Sequence, residues 1–457
     1  METMRKSARP AAEEAVWSTG WRFRLLTVVL GILTGIVGTA FRLGVSRGFA
    51  RYARLVALAD HSSVLGWLAA AISGAVLVSS AAFLTRRFAP EAAGSGVQEI
   101  EGILAGLRPP MRWAEVLPVK FFGGLLAMSA GLVLGREGPS IHIGGALGAA
   151  LAKAPPLPSE NENILVGGGA AAGLGVAFDA PIGGVLFAME EIRREFPLTA
   201  TFAQCVMLTT VTAIIVSHLI AGPGRILPIP VYKWPTLSEL GLMLPFAIIM
   251  GAYGVFLNLA LLWTFDVSRA LTQRTGWLLP TIIIGGAVGL LVRSFPEMTG
   301  GGEELVMELL QSPQSLGALI LLLVARTVFF NASYGVGTPG GIFFPIVAFG
   351  AVSGLSFAHI LAWVLPASEL DPGKCAVAGM AALLAATVRA PITGLMLVIE
   401  MTRNYQLVTM ALLASIIADA TAEFLGGRPV YQQLLDRSRT VSDNALISLS
   451  ASDKWTT

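Results

Sequence analysis

Glu137 is the residue of this sequence whose surroundings most clearly indicate chemistry. Apart from its neighbour Arg136, no charged residue occurs between Lys120 and Lys153. An ionisable side chain in such apolar surroundings is costly, so its presence indicates a function. The plain alternative is an Arg136–Glu137 ion pair at a helix end.

The residues around Glu137 favour a binding role over that ion pair. Gly135 and Gly138 let backbone N–H groups approach a ligand closely, and Pro139 suits the first turn of a helix. Exposed amides at the positive end of a helix dipole form an anion site. We therefore predict that the Glu137 carboxylate can occupy such a site, leave it, and carry a proton in doing so.

A second segment of the same GxxxP form, Gly341–Pro345, carries no charge. We expect it to contribute the backbone N–H groups of Ile342 and Phe343, while its apolar side chains exclude water. The alternative is an ordinary helix start with a packing role.

Two further candidates are neutral hydroxyl donors. Ser95 stands between Gly94 and Gly96, and Tyr431 follows the last apolar run. Taken alone, a GSG tripeptide is often a loop break, and such a tyrosine often lies at a membrane interface. A pore, however, must strip an ion of its water and still release it. Hydroxyls and amides can do this for a halide, whereas a buried lysine would hold the ion too tightly.

An acidic pair, Glu190 and Glu191, closes an apolar helical pattern just before Arg193 and Arg194. We interpret Glu190 as a solvated helix end. For Glu191 the same interpretation competes with a role in proton movement, because a proton path needs a titratable group near a membrane boundary.

The composition indicates that these residues are held by membrane helices. Of 457 residues, 54% are hydrophobic and 13% are charged, whereas roughly a quarter are charged in a soluble domain. Helices of about 20 apolar residues cross a bilayer, so the predicted fold class is an all-α polytopic membrane protein. The long uncharged runs are 25–41, 62–85, 196–224, 240–265, 275–292, 309–325 and 327–368, the last with room for two segments. Shorter runs at 121–135, 163–178 and 390–399 should be tilted, broken or buried among other helices.

Several function classes are excluded. A net charge of +2 leaves no basic surface for nucleic acid. Cys205 and Cys375 lack CxxC spacing and the four histidines lack HxxxH spacing, so no metal site is predicted. No HExxH or GxGD pattern supports a hydrolase with a catalytic residue.

The chain divides into two tails and one membrane domain. The basic segment 1–24 predicts a cytoplasmic N-terminal tail. The membrane domain is predicted over 25–431, and 432–457 form a short C-terminal tail.

An internal repeat divides the membrane domain at about 25–224 and 235–431. Three landmarks recur in the same order at offsets of 206 to 210: Gly94–Gly96 with Gly300–Gly302, Gly135–Pro139 with Gly341–Pro345, and Ala180–Glu190 with Ala390–Glu400. The match leaves Glu191 facing Met401, so only the first half carries the extra acid. Interrupted segments at corresponding places in two halves indicate a transport site at the repeat interface.

At these residues the sequence resembles the CLC family of chloride channels and proton-coupled chloride antiporters, most closely its bacterial antiporter branch. The motifs that carry the resemblance are GSGVQEIEG, VLPVKFFGG, VLGREGPSIHIGG, GAAAGLGVAFDAPIGGVLF, GTPGGIFFP and GGRPVY. The resemblance implies a homodimer in the bilayer, with two inverted repeats of tilted and broken helices and one anion path in each subunit.

The resemblance also implies a role for each candidate. Chloride binds at Ser95, Gly96, Ile342, Phe343 and Tyr431, within a filter frame of Gly94, Gly135, Arg136, Gly138, Pro139, Gly341 and Pro345. Glu137 is the external gate and proton acceptor, and Glu191 is the internal proton-transfer residue. Gln98 departs from the pattern, because proline is usual at that position. The nucleotide-binding modules of many relatives are absent, so no ATP-binding module is expected.

The function expected from these observations is secondary active exchange of chloride for protons across a bacterial inner membrane. The alternative is a passive, voltage- or pH-gated chloride channel of the same family. Neither is an enzyme, and neither needs a cofactor beyond the chloride that is transported.

Overall fold

A computed structural model describes residues 20–438, except 59–62, 154–156, 193–196, 225, 313 and 367–369. The predicted all-α class is confirmed, because the described residues form helices and contain only two isolated β-bridges. Most of the predicted N-terminal tail and the C-terminal residues beyond 438 lie outside the described residues.

The helices of the two halves follow one another in the same order. In the first half they are α1 (Trp21–Leu58), α2 (Val64–Phe88), α3 (Val97–Leu104), α4 (Trp113–Ser129), α5 (Glu137–Ala152), α6 (Ser159–Phe178), α7 (Pro181–Glu190) and α8 (Ala200–Ala221). In the second half they are α9 (Leu237–Thr275), α10 (Leu278–Ser294), α11 (Glu303–Gln311), α12 (Leu316–Gly335), α13 (Phe343–Val364), α14 (Pro372–Val388), α15 (Pro391–Thr402) and α16 (Val408–Phe424). A last helix, α17, covers 430–438.

Seven segments among the described residues are long and apolar enough to cross a membrane, so the chain is a multi-pass membrane protein. The predicted division of 327–368 into two segments is confirmed by α12 and α13. The uncharged run at 309–325 is divided between two helices, because α11 ends at Gln311. Ser315 then starts α12, since its side chain accepts a hydrogen bond from the Ala318 amide at 3.2 Å.

Helix α1 continues well beyond the predicted run at 25–41. Its last turns are amphipathic: Tyr52 and Val56 are buried, whereas Arg47 and Arg51 are exposed. The uncharged run ends at Arg42, which is half-buried and donates to the Ser217 hydroxyl of α8 at 3.4 Å, so the helix continues past it. The later arginines Arg47 and Arg51 lie on the exposed face.

The repeat is visible in close helix packing. Gly144 of α5 meets the backbone carbonyl of Gly169 in α6, and Gly350 of α13 meets that of Gly379 in α14 in the same way. A Cβ atom at any of these positions would collide with backbone, so glycine sets the helix separation. Both α6 and α14 are buried along nearly their whole length, as expected for the short run at 163–178.

The two halves are inverted relative to each other. Equivalent helices α7 and α15 pack antiparallel: Glu190 at the end of α7 accepts hydrogen bonds from the Ile392 and Thr393 amides at the start of α15. Helices α2 and α10 are also antiparallel. Ala70 early in α2 meets Gly289 late in α10, whereas Ser79 late in α2 bonds Thr281 early in α10 at 3.0 Å. The interpretation of Glu190 as a solvated helix end is wrong, since its carboxylate caps α15.

Candidate functional site

Three motif loops meet at Gly138. A Cβ atom added there would lie 2.9 Å from the Cα of Ser95 and 3.0 Å from the Cα of Gly341. Only glycine lets the GREGP, GSG and GGIFFP loops approach so closely. Residues that are far apart in the sequence therefore form one buried cluster.

Backbone hydrogen bonds fix the loops to one another. Gly135 and Gly341 exchange N–H···O bonds of 2.8 and 2.6 Å. The same segment bonds the GSG loop: the Gly94 amide donates to the Thr338 carbonyl and the Gly340 amide donates to the Gly94 carbonyl, both at 3.0 Å. The loop before α13 is thus tied to both motifs of the first half, which makes the site rigid.

Glycine geometry opens the short helices at this site. Gly94 and Gly96 have φ values of +61° and +88°, and their repeat counterparts Gly300 and Gly302 have +66° and +110°. Residues with a Cβ rarely adopt these values. The two matched glycine pairs of the sequence therefore reflect one loop conformation used twice.

The Glu137 carboxylate lies at the start of a helix from the other half. Its Oε1 accepts a hydrogen bond from the Phe344 amide in the first turn of α13 at 3.1 Å, and the side chain is fully buried. The alternative interpretation, an ion pair between Arg136 and Glu137, is wrong. Arg136 instead pairs with Glu303 at 2.9 Å. Glu137 is therefore held by a helix N-terminus, where an anion would also be stabilised.

Donors at the start of α13 remain available beside this carboxylate. The amides of Ile342 and Phe343 precede the first intrahelical bonds, and neither donates to an acceptor within the described part of the chain. Ile342, Phe343 and Pro345 are buried. Aromatic rings of Phe178, Phe187 and Tyr431 surround that of Phe343.

Two buried hydroxyls face the same region. Ser95 and Tyr431 are each 0% exposed, and the two hydroxyls are neighbours. Neither hydroxyl has a partner with normal hydrogen-bond geometry among the described residues. A buried polar group usually has a partner, so these two donors suit a ligand. The burial of Tyr431 also excludes an interfacial position for it.

Gly96 differs from the other predicted anion-binding residues. Its amide already donates to Oε1 of Gln98 at 3.2 Å. Its role in this structure is to start α3, as the residue before Val97 in left-handed conformation.

Glu191 directly follows the last residue of α7. It is fully buried, and its amide donates to the Phe187 carbonyl at 2.9 Å. The Glu191 carboxyl lies in the neighbourhood of Tyr431. Arg193 and Arg194, which suggested a boundary position, lie outside the described residues.

Sequence reasoning missed three contributors. Lys120 is fully buried, and its ammonium donates to the Ala92 and Gly94 carbonyls at 2.9 and 2.7 Å, which draws the carbonyls of the GSG loop toward it. In the sequence, a single lysine among the apolar residues of VLPVKFFGG was the pattern that could have indicated this role. Phe344 supplies the amide that holds Glu137. Glu303 neutralises Arg136, and no local pattern indicated that contact.

Two cavities reach the cluster from different loops and share no lining residue. The Glu137-side mouth, of about 210 Å³, is lined by Gly135, Arg136, Glu303, Glu304, Glu308 and Phe344, among others. The Gly94-side mouth, of about 520 Å³, is lined by Arg86, Gly94, Gln98, Arg108, Arg269 and Tyr334, among others. Ser95, Glu137 and Tyr431 are closed off from both, because each is 0% exposed.

Fold and site together define a multi-pass membrane protein with a buried, mostly neutral set of hydrogen-bond donors. A family model described as voltage gated chloride channel matches residues 74–423. The chain belongs to this family, which confirms the resemblance of its motifs.

Named relatives agree with this membership. The H(+)/Cl(-) exchange transporter ClcA of Vibrio cholerae serotype O1 (strain M66-2) is 42% identical over 416 residues, which cover 90% of this chain and 89% of the relative. The protein of the same name from Salmonella arizonae is 40% identical and covers 92% and 89%.

Solved structures share the architecture. A slow cyanobacterial Cl−/H+ antiporter matches with a TM-score of 0.87 and 32% identity, over 92% of this chain and 99% of that chain. A eukaryotic CLC transporter matches with a TM-score of 0.76 over 91% and 73%, and at 22% identity it shows the common fold alone.

Proposed function

We propose that this chain exchanges chloride for protons across the membrane, with one anion path in each subunit and Glu137 as its gate. The observation that carries the proposal is the position of the Glu137 carboxylate. It occupies the N-terminus of α13 by bonding the Phe344 amide, beside the free donors that an anion would use. The names of the relatives as exchange transporters support the choice of chloride and protons.

Competition at one helix N-terminus couples the two ions. While Glu137 is charged, it takes the place of the anion at the first turn of α13. Protonation removes the charge–dipole attraction, so the side chain leaves and chloride enters. When chloride leaves, the carboxylic acid gives up its proton and returns to the helix start as a carboxylate. Because either the Glu137 carboxylate or chloride occupies the N-terminus of α13, proton binding is linked to chloride binding. The proposed result is exchange of the two ions in opposite directions.

The neutral donors set the strength of chloride binding. The hydroxyls of Ser95 and Tyr431 and the amides of Ile342 and Phe343 replace water around the ion without a full positive charge. Arg136 does not disturb this balance, because Glu303 neutralises it at 2.9 Å. Gly135, Gly138, Pro139, Gly341 and Pro345 supply the backbone shape, as does Gly94 through its bonds to the loop 338–340.

Glu191 serves as the internal proton-transfer residue. It is buried near Tyr431 and has no acidic counterpart in the second half, where Met401 stands. A carboxylate at that depth is costly without a function. It would pass protons to Glu137 by a route separate from that of chloride.

The working unit is a homodimer in a bacterial inner membrane, with the N-terminus in the cytoplasm. Helices α7 and α15 have 10 and 12 residues and are too short to span. Ile182 and Ile392 at their starts are nevertheless each 49% exposed. Because irregular backbone does not face lipid, a second copy of the chain would cover these helix starts.

Reconstitution into liposomes tests the exchange. The purified protein is reconstituted into liposomes that contain chloride, and chloride efflux and external pH are recorded together. A chloride gradient that drives protons uphill supports exchange. Chloride flow without proton movement would instead favour the passive channel.

A further inference from the structure

Gln98 is the one departure in the first filter motif, and its side chain has a defined orientation. It is the second residue of α3 and is 8% exposed. Its Oε1 accepts a hydrogen bond from the Gly96 amide at 3.2 Å. The reverse orientation would place the amide nitrogen against the Gly96 N–H, two donors facing each other, so the hydrogen-bond network fixes which end is nitrogen.

The other end of the carboxamide faces the Gly94-side mouth. Nε2 lies 3.6 Å from the place that a Cβ on Gly94 would occupy, and Gln98 lines that cavity together with Gly94 and Tyr334. Nε2 has no acceptor within the described part of the chain. The carboxamide nitrogen and its two N–H donors therefore lie at the cavity, beside the loop that carries Ser95.

The charges of the same cavity suit an anion on its way to Ser95. Arg86 and Arg269 line it, are exposed, and form no ion pair among the described residues. Two acids also line the cavity: Glu99 partly neutralises Arg108 at 3.4 Å, and Glu91 is paired with Arg112 at 2.7 Å. Unpaired cations at the rim concentrate anions, and a neutral donor deeper in the cavity can take an anion over without holding it tightly.

We propose that the Gln98 carboxamide is an additional chloride-binding donor at the Gly94-side mouth, between the arginine rim and Ser95. The proposal rests on the proposed function, because it assumes that chloride uses this path. The Gly96 amide is not available to an anion, because it donates to Oε1 of Gln98. The N–H groups of the Gln98 carboxamide replace it as donors, at a position closer to the cavity. Proline, usual at this position in the family, offers no donor there.

Gln98→Leu tests the donor. We expect chloride affinity, measured by titration calorimetry on purified protein, to fall about 3- to 10-fold, which corresponds to one lost neutral hydrogen bond. The matched control is Gln273→Leu, the same change in an exposed glutamine that lines the same cavity. It should leave affinity unchanged. An unchanged affinity of Gln98→Leu, or an equal loss in the control, would overturn the proposal.

Gln98→Glu is a second variant that keeps an acceptor for the Gly96 amide and so preserves the loop. The carboxylate has no donor, and we expect chloride transport to fall at neutral pH and to recover at acidic pH, where an O–H donor is restored. The same pH dependence in Gln273→Glu would show only a general charge effect and would contradict a direct contact. Wild-type protein is measured first in liposomes: if it moves no chloride, the proposed function fails, whereas normal wild-type transport with an unaltered Gln98→Glu variant rejects the Gln98 role alone.

Discussion

Glu190 and Glu400 each cap the helix that carries the other. The Glu190 carboxylate accepts hydrogen bonds from the amides of Ile392 and Thr393, at 3.2 and 2.7 Å. The Glu400 carboxylate accepts hydrogen bonds from the amides of Ile182 and Gly183, at 3.1 and 2.7 Å. The pair satisfies the first-turn N–H groups of α7 and α15, which have no intrahelical partner. A carboxylate at a helix N-terminus also gains from the helix dipole. This reciprocal contact fastens the two inverted halves to each other.

Loss of either cap should destabilise the protein. Glu190→Gln and Glu400→Gln replace a charged acceptor by a neutral one with half the acceptor capacity, at an expected cost of about 1–3 kcal/mol each. The apparent melting temperature in detergent, followed by size-exclusion chromatography, should fall by several degrees. Glu423→Gln, at a carboxylate that is 76% exposed, is the control. Equal melting temperatures for all three variants would contradict the capping role.

Removal of the two hydroxyl donors should weaken chloride binding. Tyr431→Phe and Ser95→Ala each remove a buried hydroxyl that has no partner of normal geometry in the described structure. Each loss is expected to cost about 1–3 kcal/mol, or roughly a 5- to 150-fold rise in Kd. Calorimetry with chloride measures the change, and unaltered affinity in both variants would reject their assignment as ligands.

Release of Arg136 from its partner should strengthen anion capture at the Glu137-side mouth. In Glu303→Gln the guanidinium loses the ion pair at 2.9 Å, and its charge becomes available to chloride. We expect a lower KM for chloride with a stronger dependence on ionic strength, because the added attraction is screened by salt. Glu304→Gln, on the next residue of the same cavity wall, is the matched control, and an equal shift in it would disprove the specific pairing effect.

Substitution of Glu191 should separate proton movement from chloride binding. Glu191 directly follows α7 and is fully buried, but it is not among the donors placed around the anion. Glu191→Gln is therefore expected to bind chloride with wild-type affinity by calorimetry and to move no protons in chloride-loaded liposomes. Continued proton pumping by this variant would reduce Glu191 to a structural helix end.

Local backbone requirements made much of the site predictable. The glycines at 94, 96, 300 and 302 adopt positive φ values, and such requirements leave the same residue type at matched positions of both halves. The repeat, the helix starts at Glu137 and Phe343 and the buried helix α6 followed from such patterns. Hydrophobic runs also located most of the spans, since burial in a bilayer requires them.

Contacts between distant segments were not predictable. The Arg136–Glu303 pair joins residues 167 positions apart, and the Glu190 cap joins residues 202 apart. Nothing in the local sequence distinguishes Glu190 from a solvated acid, because its neighbours are charged too. The length of α1 was missed for a related reason: Arg42 resembles the end of a span in the sequence, but its partner Ser217 lies 175 positions away.

The measurement that tests the gate most directly is ion-coupled flux in Glu137→Gln liposomes. Glutamine mimics the protonated side chain, which cannot compete with an anion at the start of α13. We predict that chloride efflux persists, that it no longer varies with pH, and that a chloride gradient drives no protons, while wild-type liposomes prepared in parallel pump protons. Uphill proton movement by the Glu137→Gln variant would contradict the role of Glu137 as the gate and proton acceptor.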